Sequence, residues 1–224
     1  MEIRISRLHY PVTTLGPGRR IGIWLQGCSI HCPGCISADT WTTNAGMTLL
    51  DNVLAHLAPW LTAAEGITIS GGEPFDQPEA LIALLAALRA RTPVDILVYS
   101  GYPAARLAAL LVKTDGLIDA LIADPFDIDA AHTRPLRGSD NQRLHLLTPL
   151  GQARFAQYER ALSDQDKALD AMFDEQGGVW FAGIPARGDF QRLQALLTDQ
   201  GHRVRISVDT ARGSRTDRAK EQQE

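Results

Sequence analysis

"IGIWLQGCSIHCPGC", residues 21–35, runs from an apolar stretch into a loop that holds every cysteine of the chain: Cys28, Cys32 and Cys35. The first half has the apolar, branched and aromatic character of a buried strand, and glycine ends it where the loop begins. Similar junctions recur. The strand-like "GITISGG" (66–72) precedes "PEALIALLAALRA" (78–90), which has proline at a helix start, and "VDILVYSG" (94–101) precedes the helical "PAARLAALLVK" (103–113). "LIDALIAD" (117–124) is a further buried strand, while "MTLLDNVLAHLAPWL" (47–61) reads as a helix with Leu50, Val53, Leu54 and Leu57 on one face. Strand alternating with helix at this spacing implies βα units around a parallel sheet, an α/β class, with ligand groups on loops beyond the C-terminal strand ends. The polar, glycine-rich junctions fall there.

The 224 residues are enough for one domain, or one with an appendage. A formal net charge of -4 gives no basic footprint, so no nucleic-acid partner is expected. The N-terminal stretch has no apolar core followed by a cleavage site, and the most apolar run is too short to span a bilayer, so the expectation is a cytoplasmic protein with no membrane association. Thiols stay reduced in that compartment. An odd, tightly clustered set of three then points to metal ligation or catalysis rather than to a disulfide framework.

A cubane 4Fe-4S cluster that only stores electrons takes four thiolates, so three leave one iron open to a substrate. Cys28-x3-Cys32-x2-Cys35 is too compact for two zinc knuckles, and a single loop with Pro33 and Gly34 suits wrapping one cuboid edge. A Cys3His zinc site with His31 is the alternative at this point. The second motif is "ISGGEPF" (69–75). Gly71 and Gly72 permit close backbone approach, and Glu73 or nearby carbonyls can accept from an ammonium; a plain strand-to-helix turn with Pro74 at the helix start is the other interpretation.

The C-x3-C-x2-C loop joined to the Gly-Gly-Glu segment resembles the radical S-adenosylmethionine (SAM) superfamily. "YPVTTLGPGRR", "GCSIHCPGCISADTW", "ISGGEP", "YSGY" and "RGSDNQR" occur in the order of similar segments in its branch of glycyl-radical-enzyme activases, the one that serves anaerobic ribonucleotide reductase. The resemblance implies an incomplete (β/α) barrel, a 4Fe-4S cluster on Cys28, Cys32 and Cys35, and SAM as cosubstrate. It also implies an electron donor such as flavodoxin or ferredoxin and a glycyl-radical enzyme as partner, from which a 5'-deoxyadenosyl radical takes a glycine hydrogen.

Carried over residue by residue, Ser70, Gly71, Gly72 and Glu73 would hold the methionine portion of SAM. Gly34, Cys35 and Ile36 would present backbone near the adenine, Gly34 standing where many superfamily members have an aromatic residue. Trp41 would cover the cofactor. Ser100 and Gly101 would meet its ribose or carboxylate, and Asp124 would line the pocket. Arg137, Ser139, Asn141 and Gln142 offer donors to the SAM carboxylate or to the partner's backbone. A β-branched residue at Gly72 is expected to exclude SAM and spare the cluster.

From Gly151 onward the chain departs from the resemblance. The division is a core over 1–148, an extension over 149–208 packed on it, and a solvated, charged tail over 209–224. The extension reads as α-β-α-β: a long helix near 149–172, the strand "GVWFAGI", a helix near 189–200 and the strand "HRVRISV". Its two strands are expected to complete the sheet or cover its edge, the alternative being a partner- or substrate-recognition element.

Overall fold

The computed structural model describes residues 1–167, 169–173, 179–186 and 188–202. Two strands open the chain, β1 (Glu2–Val12) and β2 (Arg20–Leu25); β3 (Met47–Leu49) then leads directly into α1 (Leu50–Leu61). The βα units follow as β4 (Gly66–Gly71), α2 (Pro78–Arg89), β5 (Asp95–Tyr99), α3 (Ala104–Lys113) and β6 (Ala120–Ala123), and β7 (Arg143–Leu146) closes this part. These strands form one seven-stranded sheet in the order β3-β1-β2-β4-β5-β6-β7. The four in the middle, β2, β4, β5 and β6, are parallel, with Ile21 opposite Ile67, Ile67 opposite Ile96, and Val98 opposite Leu121. The outer pairings are antiparallel. The fold is therefore mixed α/β around a mostly parallel sheet.

The parallel strands are apolar without interruption because both of their faces are covered. On one face Ile21, Ile23, Ile67, Ile69, Ile96, Val98 and Leu121 pack with Leu54 and Leu57 of α1, Leu81, Leu84 and Leu88 of α2, and Leu107 of α3 in a single core. The helix over 47–61 is shortened at its start, since Met47–Leu49 pairs with β1 as an edge strand; Leu50, Val53, Leu54 and Leu57 are its buried residues, as its periodicity predicts.

Residues beyond 148 cover the opposite face. α4 (Pro149–Phe155) buries Phe155 completely against Leu97, Ala120, Ile122 and Leu136. β8 (Leu169–Phe173) and β9 (Val179–Gly183) form an antiparallel pair, followed by α5 (Asp189–Asp199). Met172 and Ala182 of this hairpin pack on Val12, Leu15 and Trp24.

Two expectations are corrected here. The helix over 149–172 ends at Phe155, because Glu159 is taken by Arg134 and Arg137, Leu162 N–H donates to Thr133 O at 2.6 Å, and β8 occupies 169–173. Tertiary partners outbid local helix propensity. The strand at "GVWFAGI" does not join the seven-stranded sheet: among the described residues β9 pairs with β8 in a two-stranded sheet lying over the face of β1 and β2. Among the described residues the helices and strands after 148 come in the order α4, β8, β9, α5. The strand expected at "HRVRISV" and the tail over 209–224 lie outside the described residues.

Candidate active site

Three loops leave the C-terminal ends of β2, β4 and β5, and hydrogen bonds lock them together. Gly27 O, one residue before Cys28, accepts from Glu73 N–H at 2.8 Å, and Cys28 N–H donates to Trp41 O at 3.1 Å. Ser29 N–H donates to Asp76 Oδ2 at 2.7 Å, while Tyr102 O–H donates to Asp76 Oδ1 at 2.6 Å. Glu73 joins the loops of β4 and β5: its carboxylate accepts from Phe75 N–H at 3.0 Å, Ser100 O–H at 2.9 Å and Gly101 N–H at 2.8 Å. Burial pushes the Glu73 carboxyl up to about 7, and these three donors hold it from rising further.

Above the interlock lies a cavity of about 450 Å3, within the range of small-ligand sites. Cys28, Cys32, Cys35, Gly34, Ile36 and Trp41 line it from the first loop. Ser70, Gly71, Gly72 and Glu73 line it from the second, and Ser100 and Gly101 from the third. The structure thus gathers eleven of the fourteen cofactor- and cluster-binding positions that the motifs single out, counting Cys35 once and Trp41 apart.

The other three, Asp124, Arg137 and Ser139, are not among the lining residues. Asp124 is buried and takes a fork of hydrogen bonds from Arg143, at 2.8 and 3.2 Å. Arg137 is buried and turned to Glu159 and Tyr158 O, and Ser139 Oγ accepts from Asp127 N–H at 3.1 Å. Their neighbours Gly138 and Gln142 do reach the cavity. Residues the motifs did not single out complete its wall: Arg7 and Trp24, Phe126, Ile128 and His132, and in the extension residues 181–186, 188, 190 and 191. Asp39, within the cysteine-loop segment, also lines it and is paired by a salt bridge to Arg7, which nothing in the sequence linked to the loop.

The backbone is built for this closeness. A Cβ on Gly72 would stand 2.0 Å from Gly27 O, so glycine is what lets the second loop touch the root of the cysteine loop. Gly34 has a φ of +75°, and a Cβ there would meet Ile128 Cδ1 at 2.5 Å. Trp41 stacks on His31 with ring centroids 4.7 Å apart.

The donor set fits an iron-sulfur cluster. All three thiols are free, half-buried and on one loop facing one cavity, and burial pushes each of them up, Cys35 to about 11. Ligation must therefore displace protons from them. Among the described residues no three His, Cys, Asp or Glu side chains gather where they could hold one metal ion. A cubane takes each thiolate at a separate corner and asks for no such convergence. His31, the fourth ligand of the zinc alternative, is engaged with Trp41 instead.

Comparison with known proteins bears on the same residues. A family model described as a 4Fe-4S single cluster domain matches residues 14–145, more than half of the chain. An anaerobic ribonucleoside-triphosphate reductase-activating protein from Salmonella typhi is 33% identical over 148 residues, covering 62% of this chain and 96% of that protein. A pyruvate formate-lyase-activating enzyme from Listeria monocytogenes is 30% identical over 92 residues, 39% of this chain and 37% of that one. Among solved structures, QueE from Escherichia coli is similar over 45% of this chain and 53% of its own, at 22% identity and a TM-score of 0.38. These family and relative matches identify an iron-sulfur protein of the radical SAM class. Within it, the chain belongs to the 4Fe-4S single cluster family of activating proteins. The family match ends at residue 145. No helix among the described residues is long and apolar enough to cross a membrane.

Proposed function

We propose that this chain is an activase that cleaves SAM reductively and installs a glycyl radical on a partner enzyme, an anaerobic ribonucleotide reductase. The observation that carries it is the meeting of Cys28, Cys32, Cys35 and the Gly-Gly-Glu segment on one cavity at adjacent strand ends. The similarity to reductase-activating proteins over nearly their whole length supports the choice of partner. Cys28, Cys32 and Cys35 would hold a 4Fe-4S cluster, which when reduced would supply the one electron that splits SAM into methionine and a 5'-deoxyadenosyl radical, the species that takes a hydrogen atom from glycine Cα to leave 5'-deoxyadenosine and the glycyl radical.

The chain's own residues do the rest. Gly71 and Gly72 leave the backbone bare for the methionine end of the cosubstrate, and Glu73, already fixed by three donors, is the acceptor for its ammonium. Trp41 and Ile36 cover the adenine side with apolar surface, which keeps water from the reacting carbon. Asp124, Arg137 and Ser139 act from behind the wall by holding the loop that presents Gly138 and Gln142. Residues 1–148 form the catalytic core, an incomplete (β/α) barrel, and the extension packs on it. The electron comes from a flavodoxin or ferredoxin in the cytoplasm.

The test is anaerobic incubation of the reconstituted protein with SAM, dithionite and the reductase, followed by electron paramagnetic resonance. A carbon-centred doublet on the reductase, dependent on SAM, is expected. SAM cleavage with no protein radical on this partner would give the site to another substrate.

A further inference from the structure

The extension enters the cavity as well as covering the sheet. Phe181, Ile184, Pro185 and Phe190, all beyond the family match, stand in the same wall set as the cysteines. Phe181 and Phe190 meet edge to face at 5.9 Å, so this part of the wall is a packed apolar unit.

A defined anchor holds that unit on the core. Asp170 of β8 accepts from Thr13 N–H at 2.7 Å, Thr13 O–H at 2.8 Å, Thr14 N–H at 3.1 Å and Thr14 O–H at 2.9 Å. One carboxylate therefore satisfies four donors at the turn that follows β1. Beside it Trp180 lies edge-on to both His9 and Trp24, each at 5.5 Å, with the Arg7 guanidinium 5.1 Å from its ring centre. Arg7 itself lines the cavity.

We propose that the extension is a specificity roof: Phe181, Ile184, Pro185 and Phe190 select the peptide segment that reaches the reacting carbon, and Asp170 is the positioning residue that sets the roof. The proposal rests on the activase reading above. The cosubstrate and the reacting residue meet in this one cavity of about 450 Å3. The added wall is apolar, so the segment it favours is a glycine flanked by apolar side chains.

The test uses the full-length reconstituted protein and two synthetic peptides of equal length and charge, each with one central α,α-dideuterated glycine. One has leucine neighbours, the other serine neighbours. Deuterium arriving in 5'-deoxyadenosine, per SAM cleaved, measures coupling. The wild type should favour the leucine peptide by about ten-fold in kcat/KM, the scale at which an apolar wall discriminates. Asp170→Ala should bring the two peptides to within about three-fold, mostly through KM, and raise the share of 5'-deoxyadenosine that carries no deuterium. Peptide-independent SAM cleavage and cluster absorbance should stay as in the wild type, which separates a lost roof from a lost fold. Asp170→Glu, which keeps the acceptor, should restore part of the preference, and Ile184→Ala should weaken it with the anchor intact.

Equal use of both peptides by the wild type, or an unchanged preference in both Asp170→Ala and Ile184→Ala, would overturn the roof and leave the activase reading standing. If the wild type cleaves SAM but moves no deuterium from either peptide and makes no radical on the reductase, the activase reading fails and the roof falls with it.

Discussion

Glu73 is where the loops of β4 and β5 meet, and its chemistry yields a pH prediction. Its folded value of about 7 stands above the ordinary 4.5, so folding takes up a proton between those limits. The stabilisation is complete below the lower limit and is lost as pH rises through the upper one, a fall on the order of 3 kcal/mol. In cluster-free protein kept anaerobic, urea midpoints at pH 5 and pH 8 should differ less for Glu73→Gln than for the wild type. An equal change in both would mean the carboxylate is ionised throughout. Gly72 gives a second prediction, and it differs from the sequence expectation. A side chain there meets Gly27 O, next to Cys28, before it meets any ligand. Gly72→Val should therefore lose iron and acid-labile sulfide along with SAM binding, where sequence reasoning expected the cluster to be spared. Cys32→Ala should abolish 5'-deoxyadenosine formation, since the cluster then has two thiolates in place of three.

At the scale of elements, α4 shows why a piece outside the family match is part of the fold. Phe155 is wholly buried on the face opposite α1 and α2, between Leu97 and Ile122. Phe155→Ala should cost about 3–5 kcal/mol in urea unfolding, because the flanking strand residues cannot close the gap. A loss below about 1 kcal/mol would show that the face tolerates exposure. A cut after Leu147 would remove α4 with the hairpin and confuse stability with function. A cut after Lys167 keeps Phe155 and Arg154 and removes β8 and β9, so it is the truncation that reports on the roof alone.

Across the whole molecule the two ends of the sheet have opposite duties. The C-terminal ends of β2, β4 and β5 carry the cavity; their N-terminal ends are pinned by a buried ion cluster. Asp95 accepts from Arg20 at 2.6 Å and from Arg154 of α4 at 2.9 Å, and Arg20 also donates to Thr68 Oγ1 at 2.7 Å and Ile67 O at 2.7 Å. Both Arg20 and Asp95 are out of solvent, and burial pulls the Arg20 guanidinium down from its ordinary value while Asp95 holds it up. Asp95→Ala strands Arg20 in the interior and should cost about 3–5 kcal/mol, more than Arg154→Ala, whose loss leaves the Arg20–Asp95 pair intact. Equal losses would place the stabilising weight on α4 rather than on the buried pair.

The sequence by itself determined the βα repeat, the helix face of Leu50, Val53, Leu54 and Leu57, the chemistry of three cysteines and the loop that bears the Gly-Gly-Glu segment. Each is a local signal: period, turn residue or spacing within a few positions. The alternation of Ile3 and Ile5 with Arg4 and Ser6 also carried β1, although no strand was read there, and the short "RLHL" of β7 carried too little pattern to be read at all. Tertiary structure decided what local signals cannot. The run over 149–172 has helical periodicity, yet Arg154 is drawn to Asp95, Glu159 to Arg137 and Asp170 to Thr13 and Thr14, so the segment breaks where partners distant in sequence take its side chains. The same cause turned Arg137 and Asp124 away from the cavity and brought Phe181 and Ile184 into it. A spacing rule sees neighbours along the chain; which face a hairpin covers is settled by apolar surface that only the assembled sheet presents.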